Sequence, residues 1–159
     1  MNLERMLLRF FVWPVHRALL RVTSGRTGIE EPSTARMGVL LLMTIGRRSG
    51  EARRLPVYFL RDEDRLVLVA SNAGDDRHPA WYLNLKADPA VTVSTPRGTR
   101  EYVARDASDA ERERLWPELV TRNPGFARYE RRTQRHIPIV ILEASQTGSL
   151  SRRTSTTMV

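Results

Sequence analysis

Six short segments rich in β-branched residues constrain the fold of this chain more than any other feature of its sequence. Turn-forming residues separate them, at Gly50, at residues 62–64 and at residues 96–98. Such segments are typical of β-strands, and their hairpin-length connections favour antiparallel pairing. A sheet of this kind leaves little exposed edge when it closes into a barrel. The predicted strands are residues 38–45, 54–60, 65–71, 90–95, 100–105 and 137–143.

Helical patterns flank the predicted barrel. Pro79 and the residues 80–87 that follow it predict a short helix. Ser108 and Glu111 form a capping box that opens a second helix, and residues 123–135 predict a further helix or half-helix. We therefore expect a mainly β fold with added helices (α+β): an antiparallel barrel with an N-terminal helix and two to three flanking helices.

The length of 159 residues suits one domain with a buried core. We expect the barrel domain over residues 38–143, an N-terminal helix with a connecting loop over residues 1–37, and a disordered polar tail over residues 144–159. The chain contains no cysteine. Disulfides, thiolate nucleophiles and cysteine-ligated metal sites are therefore excluded, and the composition is compatible with a cytoplasmic location.

The first 22 residues carry an amphipathic helical pattern, which Pro14 is expected to kink. The apolar run is too short and too often charged to span a bilayer, and no small-residue cleavage site follows it. We therefore expect neither a transmembrane helix nor a secretory signal. Two interpretations stay open: peripheral contact with an anionic membrane surface through residues 1–22, or packing over an open end of the barrel.

The first predicted hairpin concentrates positive charge at its tip. Gly46 and Gly50 allow a tight turn, and Ser49 and four arginines lie in or beside it. Arginine presents planar, paired donors to phosphate or carboxylate, so such a tip suits an anion with several oxygens. A solvated arginine-rich turn is the alternative. The net charge of +8, with 25 of 26 basic residues being arginine, supports an anionic partner only weakly. The four arginines are Arg47, Arg48, Arg53 and Arg54.

Aromatic residues follow a predicted flexible loop at residues 72–76. Trp81 and Tyr82 lie on the short helix after this loop. Their rings suit a wall against a flat ring system, with an asparagine of the same helix as a polar anchor, or they are core residues and nothing more. Phe126 and Tyr129 are three residues apart and hence share one face of the last predicted helix.

Few other kinds of chemistry are indicated. The three histidines are not at metal-ligand spacings, so a dedicated metal site is not expected. No nucleophile elbow, phosphate loop or GxGxxG fingerprint is present. A basic hairpin, an aromatic helix and a glycine-containing loop on one barrel suit an elongated ligand with an anionic tail and a flat head.

Five sequence blocks resemble those of one enzyme family, in the same order. They are TIGRRSGEARRLPVYFL, VLVASNAGDDRHPAWYLNL, ADPAVTV, WPELV and HIPIVILE, all within residues 38–143. The chain resembles the deazaflavin-dependent nitroreductase and quinone reductase family, whose members have an FMN-binding-like split β-barrel and use coenzyme F420. The resemblance implies a reductase that transfers a hydride from the reduced deazaflavin to a quinone or another electrophilic acceptor.

The resemblance also implies a set of site residues. The hairpin would meet the phosphate and oligoglutamate tail of the coenzyme, and its ring would lie against the second strand, the loop after the third strand and the short helix. Tyr58, Ser71 and Tyr129 are the implied hydrogen-bond or proton donors, and Phe126 completes the implied catalytic set. The implied coenzyme contacts are Arg47, Arg48, Ser49, Arg53, Arg54, Leu55, Pro56, Val57, Tyr58, Ala70, Ser71, Asn72, Ala73, Ala80, Trp81, Tyr82 and Asn84.

The chain departs from the family pattern at two places. Family members have arginine followed by lysine at the hairpin tip, where this chain has Arg47 and Arg48, so tail binding should survive with a different geometry. Nitroimidazole-reducing members have tyrosines at the positions of Phe126 and Asn123. Because Phe126 lacks a phenol hydroxyl, we expect weak or absent nitroimidazole reduction and retained quinone reduction.

Two alternative functions are weighed against this one. A related split barrel could bind flavin mononucleotide, and a non-catalytic basic barrel could bind single-stranded nucleic acid through its charge and aromatic rings. The second alternative explains the charge but not the order of the sequence blocks, so no nucleic acid is expected. The sequence leaves the physiological acceptor and the oligomeric state open.

Overall fold

The computed structural model describes residues 28–145, which form six β-strands and three α-helices. The strands are β1 (Gly38–Ile45), β2 (Ala52–Asp62), β3 (Arg65–Val69), β4 (Ala90–Thr95), β5 (Gly98–Asp106) and β6 (Ile139–Ala144). The helices are α1 (Ala80–Ala87), α2 (Asp109–Arg122) and α3 (Gly125–Arg132), and a short 3-10 turn spans Asn72–Gly74. The helix predicted over residues 1–22 and nearly all of the predicted tail lie outside the described residues.

Antiparallel pairing closes the sheet on itself. The strand order around the barrel is β1-β2-β3-β6-β5-β4, and each neighbouring pair is antiparallel. The barrel closes where β1 pairs with β4, with Leu42 opposite Val93. Closure satisfies backbone groups that an open sheet would leave at its edges. The expected antiparallel β-barrel is confirmed.

Several strand ends differ from the prediction for local reasons. β2 begins at Ala52, two residues early, because Ala52 lies opposite Ile45 and the hairpin is paired up to its loop. β3 ends at Val69 because the chain soon enters a left-handed turn. β6 begins at Ile139, directly after Pro138, whose nitrogen has no hydrogen to donate to the ladder.

The two faces of the sheet build two apolar clusters. One fills the barrel around Phe59, with Leu40 and Leu42 of β1, and α1 contributes Trp81 and Leu85 to it. The other lies between α2, α3 and the outer face of β2, β3 and β6. Alternation along the strands produces this division, because successive side chains of a strand point to opposite faces.

The helix α3 is shorter than the predicted 123–135. Asn123 Oδ1 accepts a hydrogen bond from the Gly125 backbone N–H (3.0 Å), so Asn123 precedes the helix rather than belonging to it. Thr133 has extended backbone angles (φ −117°, ψ 148°) and ends the helix. No helix within residues 28–145 has the length and apolar character needed to cross a bilayer.

A capping box and ion pairs fix α2 to the barrel. Ser108 Oγ accepts from the Glu111 N–H (3.3 Å), and Glu111 Oε2 accepts from the Ser108 N–H (2.9 Å), as the sequence predicts. Glu111 also accepts from Arg105 of β5 (2.7 and 2.8 Å) and from Arg65 of β3 (3.0 Å). These bonds hold the pKa of Glu111 well below its ordinary value of 4.5, and the hydrogen bonds from Arg105 contribute most.

Replacing Glu111 by glutamine should reduce the acid sensitivity of the fold. Because its folded-state pKa is depressed, the Glu111 carboxylate stabilises the fold above the unfolded-state value near 4.5, and this stabilisation is lost as pH falls through the folded-state pKa. We expect Glu111→Gln to lower the free energy of unfolding by about 1–3 kcal/mol at pH 7. The difference from the native protein should shrink at about pH 3. Urea unfolding of both proteins at pH 7 and at about pH 3 measures this difference in the free energy of unfolding.

Glu113→Gln is the matched control. Glu113 lies on the exposed face of the same helix and forms no ion pair within the described range. Its replacement should change the free energy of unfolding by less than about 0.5 kcal/mol. Equal effects of the two substitutions would contradict the assignment of the network to Glu111.

Candidate functional site

The arginine hairpin joins β1 to β2 through a tight loop. The Gly46 N–H donates to Glu51 O (2.8 Å), and the Gly50 N–H donates to Gly46 O (2.8 Å). Gly50 has a φ of 68°, a left-handed conformation that favours glycine. A Cβ atom at Gly46 would lie 2.8 Å from Ser49 Oγ. The loop geometry therefore favours glycine at position 50 through its left-handed φ, and at position 46 it leaves little space for a side chain.

All four hairpin arginines are exposed, and the described part of the chain leaves two of them without a partner. The guanidinium groups of Arg48 and Arg54 form no hydrogen bond or ion pair with residues 28–145. Arg53 pairs with Glu51 (2.7 Å) and donates to Ser49 Oγ (3.2 Å). Both partners of the Arg53–Glu51 pair are more than half exposed, so the pair is weak and can exchange for another anion. The tip therefore presents accessible cationic donors.

Asn84 connects the short helix α1 to the hairpin tip. Its side chain is buried, and its Oδ1 accepts from the Arg47 backbone N–H (3.2 Å) and more weakly from Arg47 Nη1 (3.5 Å). Its Nδ2 donates to Thr44 Oγ1 (3.1 Å), which is also buried. Both polar atoms of the Asn84 amide are thus engaged by the hairpin. The sequence predicts Asn84 as a polar anchor for a ring; here it anchors the loop that carries the charge.

A left-handed turn follows β3. Asn72, Ala73 and Gly74 have φ values of 46°, 53° and 75°. The Gly74 N–H closes the turn by donating to Ser71 O (2.9 Å). The backbone N–H groups of Ser71, Asn72 and Ala73 donate to no acceptor among residues 28–145. This turn therefore offers unpaired backbone donors in the loop that the resemblance assigns to ring binding.

The loop at residues 72–76, predicted to be flexible, is held by several tertiary contacts. A Cβ atom at Gly74 would lie 3.0 Å from the Tyr129 backbone of α3, so glycine is required for the close approach. Thr133 Oγ1 donates to Asp76 Oδ1 (2.9 Å). Arg135 donates to the Ser71 carbonyl (2.7 Å). Residues after α3, which show no local sequence signal, thus hold the loop through hydrogen bonds.

The two aromatic rings of α1 are mostly core residues. Trp81 and Tyr82 are each 7% exposed and meet edge to face, with ring centroids 6.3 Å apart. The Tyr82 hydroxyl donates to Asp106 Oδ2 (3.2 Å), and burial is the first cause that raises the pKa of Tyr82. Ala80, at the start of α1, is exposed. Burial of both rings favours the core alternative over an open aromatic wall.

The predicted donor residues lie in two places. Tyr58 is on the exposed part of β2, opposite Val39, and is 57% exposed. Ser71 begins the left-handed turn, and Tyr129 is half-buried on α3 beside it. Phe126 is 3% exposed and packs in the core beneath α2, near Trp116 and Tyr129. Its position is therefore internal rather than on an open surface.

The register of β2 against β3 places the segments predicted to bind the coenzyme at one end of the barrel. β2 and β3 are antiparallel with Phe59 opposite Leu68, so the residues after β3 lie at the same end of the pair as the half-buried Leu55, Pro56 and Val57. The helix α1 follows the turn in sequence and binds the hairpin tip through Asn84. Within the described residues, no cluster of three or more metal-ligating acidic or histidine side chains occurs.

Comparison with known proteins shows which family this chain is similar to. The family model for F420H(2)-dependent quinone reductase matches residues 14–144. An F420H(2)-dependent quinone reductase of Mycobacterium tuberculosis is 36% identical over 132 residues, covering 80% of this chain and 87% of that protein.

Two solved structures are similar in fold and in sequence. That of an F420-H2 dependent reductase (FDR-A) is 36% identical, with a TM-score of 0.61 over 66% of this chain and 93% of that chain. A second, described as a domain-swapped dimer, is 32% identical, with a TM-score of 0.64 over 82% of this chain and 94% of that chain.

The closed antiparallel barrel and these two similar structures define a split-barrel redox protein. The chain belongs to the F420H(2)-dependent quinone reductase family. It is an oxidoreductase, and coenzyme F420 is its cofactor. The predicted family, fold and cofactor are thereby confirmed, whereas the flavin mononucleotide and nucleic-acid alternatives gain no support.

The link between Asn84 and Thr44 gives a stability prediction. Asn84→Ala leaves the Arg47 N–H and the Thr44 hydroxyl without their buried partner, so the free energy of unfolding should fall by about 1–3 kcal/mol. Thr44→Val should have a smaller effect of the same sign. The double variant should show a coupling energy of about 0.5–3 kcal/mol in a urea-denaturation cycle, and strict additivity would argue against the bond.

Proposed function

We propose that the protein transfers a hydride from reduced coenzyme F420 to a quinone, with the arginine hairpin and the left-handed turn holding the two parts of the coenzyme. One observation carries the proposal: unneutralised guanidinium groups and unpaired backbone N–H donors lie on segments at one end of the same barrel. A ligand with an anionic tail and a flat polar ring has complementary groups for both. The residues present therefore fit the coenzyme.

The hairpin would hold the phosphate and carboxylate groups of the tail. Arg48 and Arg54 have no competing partner among the described residues, and Arg53 has only an exposed one. Arg47 is anchored at its backbone by Asn84, and Ser49 contributes a hydroxyl. Guanidinium groups bind such oxyanions through paired, charge-assisted hydrogen bonds, so several of them would contribute together.

The ring would lie between β2 and the left-handed turn. Leu55, Pro56 and Val57 are half-buried on β2 and supply an apolar surface, and Ser71, Asn72 and Ala73 supply backbone donors. Exposed Ala80 adds a small side chain at the start of α1. When bound, the reduced deazaflavin supplies the hydride, and the protein fixes its position and excludes water.

Reduction of a quinone to a quinol consumes one hydride and one proton, so the acceptor also needs a proton donor or a hydrogen-bond donor. We assign this role to the hydroxyl groups of Tyr58, Ser71 and Tyr129. Tyr129 has the best support, because its backbone packs against Gly74 in the turn. Exposed Tyr58 lies on the same strand as the apolar surface and is accessible to an acceptor that arrives from solvent.

Alanine substitutions in the hairpin test the tail site. Arg48→Ala and Arg54→Ala should each weaken binding of coenzyme F420 by about tenfold or more, since a hydrogen bond to a charged group contributes about 1.5–3 kcal/mol. Titration of the coenzyme's own fluorescence with protein measures the dissociation constant, and the loss should be smaller at high salt.

Arg36→Ala is the matched control, because it also removes one exposed arginine charge. Arg36 precedes the first residue of β1, whereas the hairpin follows the last residue of that strand. It should leave the dissociation constant within about twofold of the native value, since surface charges beyond a Debye length are screened. Native dissociation constants in both hairpin variants would overturn the assignment of the hairpin to the coenzyme tail.

We further propose that nitroimidazoles are poor acceptors. At residue 126 the side chain is a phenyl ring buried against Trp116, so it supplies no hydroxyl for a nitro group. With saturating reduced coenzyme, the purified protein should reduce a soluble quinone such as menadione at least about 10 times faster than a bicyclic nitroimidazole, a difference of about 1.4 kcal/mol in barrier. Comparable rates would contradict the proposal.

The amphipathic segment at residues 1–22 would bring a cytoplasmic enzyme to the lipid-dissolved quinone. Four arginines and an apolar helical face suit an anionic membrane surface. In flotation with vesicles that contain phosphatidylglycerol, the full chain should float and the chain without residues 1–22 should stay at the bottom. Equal behaviour of both proteins would remove membrane contact from the proposal.

A further inference from the structure

Arg135 joins the segment between α3 and β6 to the loop that follows β3. Its Nη2 donates to Ala70 O (3.1 Å) and Ser71 O (2.7 Å), and its Nε donates to Asp75 O (2.8 Å). Its Nη1 lies 3.3 Å from Nδ1 of His78. One half-buried guanidinium therefore contacts the backbone on both sides of the left-handed turn.

The chemistry of the guanidinium suits this task. Burial lowers the pKa of Arg135, and the carboxylates of Asp75 and Asp76 act in the opposite direction. An arginine remains charged at neutral pH, and its five N–H donors lie in one plane with fixed directions. Carbonyl groups 70, 71 and 75 can be held at once by such a planar group, whereas an ammonium group is a single point of charge.

Binding these carbonyls also sets the direction of the neighbouring N–H groups. In a trans peptide the C=O of one residue points opposite to the N–H of the next. With the Ala70 carbonyl directed at Arg135, the Ser71 N–H points away from it. With the Ser71 carbonyl directed there too, the same holds for the Asn72 N–H. These are two of the turn's N–H groups that find no acceptor in the described part of the chain.

We propose that Arg135 is a positioning residue for the coenzyme ring: it holds the Ala70 and Ser71 carbonyls so that the Ser71 and Asn72 N–H groups face the polar edge of the bound deazaflavin. This inference rests on the proposed function. The acceptors would be the carbonyl oxygens of the ring's pyrimidine-dione portion. Arg135 itself stays behind the loop and does not touch the coenzyme.

The backbone of the turn needs such support. Asn72 and Ala73 are not glycine and yet have left-handed φ values of 46° and 53°, a conformation that non-glycine residues adopt at a cost. A second tether, from Thr133 to Asp76, comes from the same segment as Arg135 (2.9 Å). Loss of Arg135 should therefore loosen the turn without releasing the whole loop.

The test compares Arg135→Lys, which keeps the charge and loses the planar donors, with Arg131→Ala, an exposed residue of α3 without a partner among the described residues. Two quantities are measured: hydrogen exchange of the Gly74 and Asp75 amides, which are hydrogen-bonded within the turn, in the coenzyme-free full chain by mass spectrometry, and the dissociation constant for coenzyme F420 by fluorescence. Arg135→Lys should speed exchange of these amides and weaken binding by about tenfold, with circular dichroism unchanged. Arg131→Ala should change neither.

Each alternative result has a defined meaning. Unchanged exchange, or faster exchange with native affinity, would overturn the role of Arg135. Arg48→Ala should weaken binding without faster exchange of the Gly74 and Asp75 amides, which separates loop positioning from tail binding. If Arg135→Lys does not fold, Thr133→Val is the variant to test. We expect it to show faster exchange and weaker coenzyme binding. Native values of both quantities would overturn the proposal. Failure of the native protein to bind the coenzyme would instead overturn the proposed function itself.

Discussion

The pairing of β1 with strands on both sides is the constraint on which the rest of the structure depends. β1 forms a continuous ladder with β2 and closes the barrel through β4, so its position is fixed from two directions. The hairpin that leaves β1 inherits this rigidity and carries Arg47 and Arg48 in its loop and Arg53 and Arg54 at the start of β2. Long cationic side chains lose rotamer entropy when they bind, but a fixed backbone means that the loop itself has little more to lose.

The distribution of charge separates structural arginines from available ones. Arg61, Arg65 and Arg105 are engaged by carboxylates that join strands to one another or to α2 and to the segment before β1. At the hairpin the only carboxylate partner among the described residues is Glu51, which pairs with Arg53 in the open. A composition dominated by arginine therefore does not by itself indicate ligand binding.

Much of the fold could be predicted from sequence because its signals are local. β-branched runs and turn residues gave strands β1 and β4 with their observed bounds, and Ser108 with Glu111 marked the start of α2. The hairpin tip could be predicted for the same reason. The roles of Asn84 and Arg135 could not, because their partners are 37 to 65 residues away and no local pattern reports them. The left-handed turn was missed because Ala73, unlike Asn72, does not favour this conformation on its own.

Asn84 and Arg135, whose partners are distant in sequence, share one physical role. Asn84 holds the loop that carries the cations, and Arg135 holds the loop that carries the free N–H groups, each through hydrogen bonds to backbone atoms. Each loop is held in place by its own hydrogen bonds before a ligand binds. A ligand that spans both loops would therefore bind more tightly, since little free energy is lost in ordering the loops. The groups offered to the ligand are generic, arginine side chains and peptide N–H donors. Under the proposed function, specificity for a long coenzyme would come from the distance and direction between these groups, which Asn84 and Arg135 would set.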